Sequence, residues 1–212
     1  MSALDFLLPK RCGVCDALSD EGLCRDCARA LAALYPPLTP HERGPLAGHV
    51  TVYAYGDVAR EMVTRLKYSG RRCLALPIAR AMAAQMLLSS IPVEVLVPVP
   101  MHPLRRMTRP LDHTRLIAQM LGAQCGLPVA HALRRTRYTK PQASLSREQR
   151  QRNLERAIAP TRDARALVAG KAVALVDDVY TSGQTARACA QALLDAGAQR
   201  VWAVALCDAA RR

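Results

Sequence analysis

The period of the hydrophobic positions changes several times along the chain, and each change marks an element. From His49, Val50, Val52 and Ala54 alternate with Thr51, Tyr53 and Tyr55, which is the period of a strand. Val58, Met62 and Leu66 then recur at helical spacing. Leu74 to Leu88 predicts a helix, and the Val-rich run Val93 to Val99 has the length and composition of a buried strand. Leu111 to Gln124 predicts a helix with Asp112 as its cap and Gly126 as its stop, before a short strand near Val129. Val173 to Val176 predicts another buried strand, followed by a polar loop, a helix from about Thr185 to Ala196 stopped by Gly197, and a last strand, Val201 to Leu206. Strands alternating with helices predict an α/β fold with a mostly parallel sheet.

Two segments depart from this rhythm. Cys12 to Cys27 forms a small module, followed by a helical stretch through Leu34 that Pro36, Pro37 and Pro40 end. The expected organisation is a module over 1–35, a linker over 36–48 and a main domain over 49–212. Between Arg134 and Arg156 the chain carries eight basic residues against two acidic ones. Apart from a short helix that Ser146 and Gln149 could cap, no apolar period runs through it, so a mobile arm is expected.

A chain of 212 residues holds one α/β core and a small appendage. Charge adds a partner class: 30 Lys+Arg against 17 Asp+Glu, a net +13, favours anions. The first ten residues have a short apolar patch, Phe6 to Leu8, and lack the basic start and cleavage site of a signal peptide. Pro77, Arg80 and Gln85 interrupt the longest apolar stretch, which therefore cannot span a bilayer. A cytoplasmic protein without membrane insertion is expected.

The eight cysteines divide by spacing. Cys73, Cys125, Cys189 and Cys207 stand alone, mostly among apolar neighbours, as small hydrophobes do. Cys12 and Cys15 form one Cys-x-x-Cys pair and Cys24 and Cys27 a second. Four thiolates complete a tetrahedral shell around Zn²⁺ and leave no position for water, so the metal they predict is structural. The gap between the pairs is shorter than in common zinc ribbons, and the alternative reading is a redox dithiol, which lacks a thioredoxin-like surround here.

The segment most specific in its chemistry runs from Val173 to Thr185, with the acidic pair Asp177 and Asp178 followed by Thr181, Ser182, Gly183, Gln184 and Thr185. Placed between a buried strand and a helix, it suits a phosphorylated sugar. Ligands in such sheets lie at the carboxyl ends of strands, and a helix N-terminus offers N–H groups to a phosphate. The hydroxyls add donors, Gly183 permits close backbone approach, and two carboxylates can accept bonds from vicinal sugar hydroxyls.

This segment resembles the 5-phosphoribosyl-1-pyrophosphate (PRPP) motif of type I phosphoribosyltransferases. The resemblance extends over nearly the whole chain and is to the ComF (competence protein F) family. Tyr55-Gly56, Leu66-Lys67-Tyr68, Pro98-Val99-Pro100, His102-Pro103, Pro141-Gln142, Leu145, Arg150 and Asn153 carry it. It implies a sheet of the type I phosphoribosyltransferase kind behind a four-cysteine zinc module. Where the family has Arg-Gly-Phe-Asn-Gln, this chain has Arg109-Pro110-Leu111-Asp112-His113 and keeps only the Arg. By analogy, Arg105, Arg106 and Arg109 lie near the pyrophosphate, where the planar fork of Arg suits phosphate oxygens. Lys67 ends a helix, a position that serves either the helix dipole or the site.

The resemblance implies a PRPP-binding protein of the phosphoribosyltransferase family, with Mg²⁺ accompanying PRPP and a link to DNA uptake in natural transformation. Two readings remain open at this point. An enzyme would be a glycosyltransferase acting on PRPP, with Asp177 and Asp178 at the ribose, Thr181 to Thr185 at the 5-phosphate and the arm closing as a lid. A non-catalytic PRPP-responsive DNA-binding or regulatory protein would instead use the basic arm, through Arg134, Arg135, Arg137, Lys140, Arg147, Arg150 and Arg152, on single-stranded DNA or engage DNA-uptake proteins. Aromatic residues are scarce, so any DNA contact would fall on phosphates.

Overall fold

The computed structural model describes residues 10–34, 44–101, 111–136 and 157–209. Most of the linker, the loop holding Arg105, Arg106 and Arg109, and the arm from Arg137 to Arg156 lie outside the described residues.

The main sheet has the strand order β1 (Gly48–Ala54), β6 (Arg200–Asp208), β5 (Ala172–Tyr180), β2 (Val95–Pro98), and every pairing is parallel. An isolated parallel bridge from Leu96 to Val129 extends its far edge. The expected α/β class with a mostly parallel sheet is what forms. The helices are α1 (Arg25–Ala32), α2 (Asp57–Tyr68), α3 (Ala75–Leu88), α4 (His113–Cys125), α5 (Ala164–Val168) and α6 (Gln184–Asp195). Among the described residues, no helix is long and apolar enough to cross a membrane.

Both faces of the sheet are covered, which explains the unbroken apolar runs of its strands. In β5, Ala174 and Val176 pack with Met62, Leu66, Ile78, Met82, Ile117 and Leu121 on the face of α2, α3 and α4. Val173 and Leu175 turn to the other face, with Ala164, Val168, Cys189 and Leu193 of α5 and α6. This alternation decides where the acidic pair points. Cys12, Val14, Cys27 and Leu31 of the N-terminal module share the first of these clusters, so the module packs into the main core.

Three local features differ from the expectation. A two-stranded antiparallel ladder pairs β3 (Leu133–Arg135) with β4 (Ile158–Pro160), so Arg134 and Arg135 belong to a strand and not to an arm. Only three residues of each strand pair, and they are separated by the basic segment, too little pattern to reveal the ladder from sequence. The short helix α5 also gave no periodic signal. Finally, β5 continues through Tyr180, so Asp177 and Asp178 stand in the strand itself and the loop shrinks to Thr181–Gly183. Its parallel register with β6, from Ala172 opposite Arg200 to Tyr180 opposite Asp208, holds the polar residues in line.

Candidate functional site

Strand β5 delivers the acidic pair to its carboxyl end with the side chains divided between the faces. Asp178 follows Ala174 and Val176 toward α2 and α4. There its Oδ2 lies 2.6 Å from Lys67 Nζ, an ion pair, and 3.1 Å from His113 Nε2. Lys67 is in the last turn of α2 and His113 is the first residue of α4. Asp112 caps α4 as expected, its Oδ1 accepting from the Arg115 amide at 3.3 Å. The Thr114 hydroxyl ties the same turn to β2 by donating to the Val99 carbonyl at 3.0 Å.

Asp177 turns the other way and shares the wall of a cavity of about 160 Å³ with Lys67, Val99, Pro100, Met101, His113, Thr114, Arg135, Asp178 and Thr185. The two carboxylates are electrostatically unlike. Burial would raise Asp178, but the contact with His113 and the charge of Lys67 outweigh it and hold that acid well below the ordinary carboxylate range. Burial, reinforced by the Asp178 carboxylate, pushes Asp177 up to about 7. The Asp178 amide, donating to Asp177 Oδ1 at 2.9 Å, offsets part of that rise.

The loop after β5 turns on Gly183, which caps α6 at φ 69° and has no side chain to bond its first amides. A Cβ there would lie 2.3 Å from Tyr180 Oη and 2.7 Å from Arg187 Nη1, so both conformation and space require glycine. The Arg187 guanidinium donates to the Ser182 carbonyl. Thr181 and Ser182 are exposed. Tyr180 is stacked on His49, with ring centroids 4.3 Å apart. A smaller cavity of about 40 Å³, bordered by Asp177, Tyr180, Thr181, Gly183 and Thr185, lies against this loop.

Sequence reasoning left Lys67 undecided, and the structure places it on Asp178. It assigned His113 no role, because that residue sits in the stretch that departs from the family motif. Arg135, expected in the basic arm, lines the cavity from β3. None of these roles has a spacing signal, since each pairs elements distant in sequence.

In the N-terminal module, the sulfurs of Cys12, Cys15, Cys24 and Cys27 all lie within 4.8 Å of one another, with Cys15 and Cys24 3.5 Å apart. A tetrahedral ion with sulfur ligands at about 2.3 Å sets its sulfurs about 3.8 Å apart, so this set can hold one. The Val14 amide donates to Cys12 Sγ at 3.4 Å, as turns around metal-bound thiolates do. Burial raises the Cys12 thiol, yet amides from Cys15, Cys24 and Val14 outweigh it and bring it down to about 6. Burial and the neighbouring thiols raise Cys27.

The sequence model of the phosphoribosyl transferase domain matches residues 113–212, the stretch that holds the acidic pair, the glycine turn and α6, and this places the sheet in the phosphoribosyltransferase class. The chain is 30% identical to the DNA utilization protein YhgH of Salmonella typhi, an alignment covering 94% of this chain and 97% of that protein. Competence protein F of Haemophilus influenzae is 30% identical over 53% of this chain and 50% of its own length. The chain belongs to the ComF family. Among solved structures, the glutamine PRPP amidotransferase of B. subtilis is 21% identical with a TM-score of 0.42. That overlap covers 61% of this chain and 26% of the amidotransferase, about a quarter of its length, a likeness too slight to assign a function.

Proposed function

We propose that the chain binds PRPP, together with Mg²⁺, at the carboxyl ends of β5 and β2. The observation that carries this reading is the continuity of the Gly183 turn, the glycine-capped start of α6 and the cavity wall of Asp177, Arg135 and Thr185. Thr181, Ser182, Gly183, Gln184 and Thr185 would take the 5-phosphate, with the helix dipole adding to the attraction. Asp177 would face the ribose, while Asp178 acts through Lys67 and His113 to hold the wall in place. Arg105, Arg106 and Arg109 are assigned to the pyrophosphate by family analogy. Mg²⁺, entering with the pyrophosphate, supplies charge neutralisation there.

If the chain is an enzyme, it is a glycosyltransferase acting on PRPP. Ligand at about a hundred times its dissociation constant should stabilise the fold by about 2.7 kcal/mol. For a chain of this length that raises Tm by roughly 5 to 10 °C. An unchanged melting curve at millimolar PRPP with Mg²⁺ would remove the proposal.

The four cysteines are assigned one structural Zn²⁺, because an all-sulfur tetrahedral set suits zinc and leaves no open position. The names of the relatives support a role in DNA uptake or utilisation, and a cytoplasmic location is proposed with it. One observation favours single-stranded DNA as a second ligand: in β3, Arg134 is exposed while Arg135 lines the cavity. The basic segment that Arg134 opens would contact phosphates, each worth about −0.7 in the slope of log affinity against log salt. Arg134→Ala should flatten that slope and spare PRPP binding. An unchanged slope would take Arg134 out of the interface.

A further inference from the structure

The N-terminal module grips α2 at both ends, and α2 carries Lys67. At the start of the helix, the Ala54 amide donates to the Leu34 carbonyl at 2.7 Å. A Cβ on Gly56, the residue capping α2, would come within 3.0 Å of the Leu34 side chain. Beyond the other end, a Cβ on Gly13 would lie 2.5 Å from Leu74 Cγ, and one on Gly22 2.4 Å from the Cys73 carbonyl oxygen. The module therefore seats on the turn that follows α2 without room for a methyl group.

The most direct link is ionic. Asp16, the residue after Cys15, adopts φ 62°, a left-handed turn conformation that Asp tolerates better than most side chains. Its amide donates to the Cys12 carbonyl at 3.1 Å and its carbonyl accepts from Arg11 Nη1 at 2.9 Å, so the cysteine turn fixes its direction. From there Oδ2 meets Arg65 Nη1 at 2.5 Å and Oδ1 meets Arg71 Nη2 at 2.6 Å. Arg65 is braced further by Glu61, its Nε lying 2.7 Å from Glu61 Oε1. Two residues on from Arg65, about 200° around the helix, Lys67 reaches Asp178. One turn of helix thus has the module on one side and the cavity on the other.

We propose that Asp16 is a positioning residue for the cavity: by clasping Arg65 and Arg71 it fixes the last turn of α2 so that Lys67 stays on Asp178. The cysteine module then acts on the site it does not touch. Where the readout is PRPP affinity, this rests on the function proposed above.

The test compares wild type, Asp16→Ala, Asp16→Glu, Lys67→Met and the Asp16→Ala, Lys67→Met double variant by calorimetric titration with PRPP and Mg²⁺. Zinc content is checked in each. Asp16→Ala should keep its metal and weaken PRPP binding by at least about fivefold, the lower end of ordinary intersite coupling. Asp16→Glu should recover part of the loss. Because Asp16 acts through Lys67, its replacement should cost nothing further in the Lys67→Met background. An equal loss in both backgrounds, or no loss in either, overturns the proposal. Should wild type fail to bind PRPP, the functional reading falls and amide exchange of the unliganded protein decides the coupling alone. Asp16→Ala must then accelerate exchange in residues 65–68 while residues 184–195 keep their protection. Unchanged exchange at 65–68 refutes the clasp.

Discussion

Replacing Asp177 by Asn should stabilise the protein in a pH-dependent way while removing its ligand response. In the folded state, burial and the adjacent Asp178 carboxylate push Asp177 up to about 7. An unfolded Asp titrates near about 3.9, so the raised value is a penalty on folding that is absent at low pH. Between about pH 4 and 7 the folded state binds more protons than the unfolded one, and stability falls as pH rises through that window. Above about pH 8 the penalty is complete and flat. From pH 5 to pH 8 the window spans about two units, at most about 3 kcal/mol, which partial exposure of Asp177 to the cavity lowers to about 1 to 2 kcal/mol. Asn carries no such titration. Thermal melts should therefore show Asp177→Asn gaining about 2 to 8 °C over wild type at pH 8 relative to its offset at pH 5. The same variant should show no PRPP-induced shift at either pH. An offset that is identical at pH 5 and pH 8 would mean that Asp177 ionises normally, and the division of labour between the two carboxylates would be wrong.

Two further outcomes are expected. Elemental analysis should find about one zinc per chain and its loss in Cys15→Ser, since four thiolates saturate one tetrahedral ion; full retention would place the ligands elsewhere. Gly183→Ala should cost about 2 to 5 kcal/mol, combining left-handed strain with overpacking against Tyr180. Gly170→Ala, at φ 73° with nothing within 4 Å of its Cβ, reports the strain alone. Equal losses of Tm in the two would show that Tyr180 yields and that the loop is not closely fitted.

The sheet was legible because its strands hold apolar runs, and α4 because its caps announce themselves. Asp112 and Gly126 bound α4 where their chemistry says they should, with Gly126 at φ 67°. The four cysteines and the β5–α6 segment were legible for the same reason, since local spacing carries their chemistry. The antiparallel ladder was not, because Leu133–Arg135 and Ile158–Pro160 meet across a long intervening segment and neither has a period of its own. The extension of β5 was hidden by its composition: two aspartates disfavour a strand, and only the register with β6 keeps them in one. Lys67, His113 and Arg135 share this cause. Each reads as an ordinary polar position in its own element and becomes part of a site only when α2, α4 and β3 converge on one strand end.

That convergence bears on where affinity for a polyanion would come from. Lys67 is committed to Asp178, which leaves Arg135 opposed by Asp177 once pH passes about 7. The walls are thus close to balance, although the chain as a whole carries +13. PRPP brings a monophosphate and a diphosphate on one sugar. On the PRPP reading, the α6 N-terminus can meet the first, but the described cavity has little positive surplus for the second. Attraction for the diphosphate must then come from Mg²⁺ and from Arg105, Arg106 and Arg109. The described site would set which ligand fits, through shape and the Asp177 carboxylate, while those three arginines would set how tightly it is held.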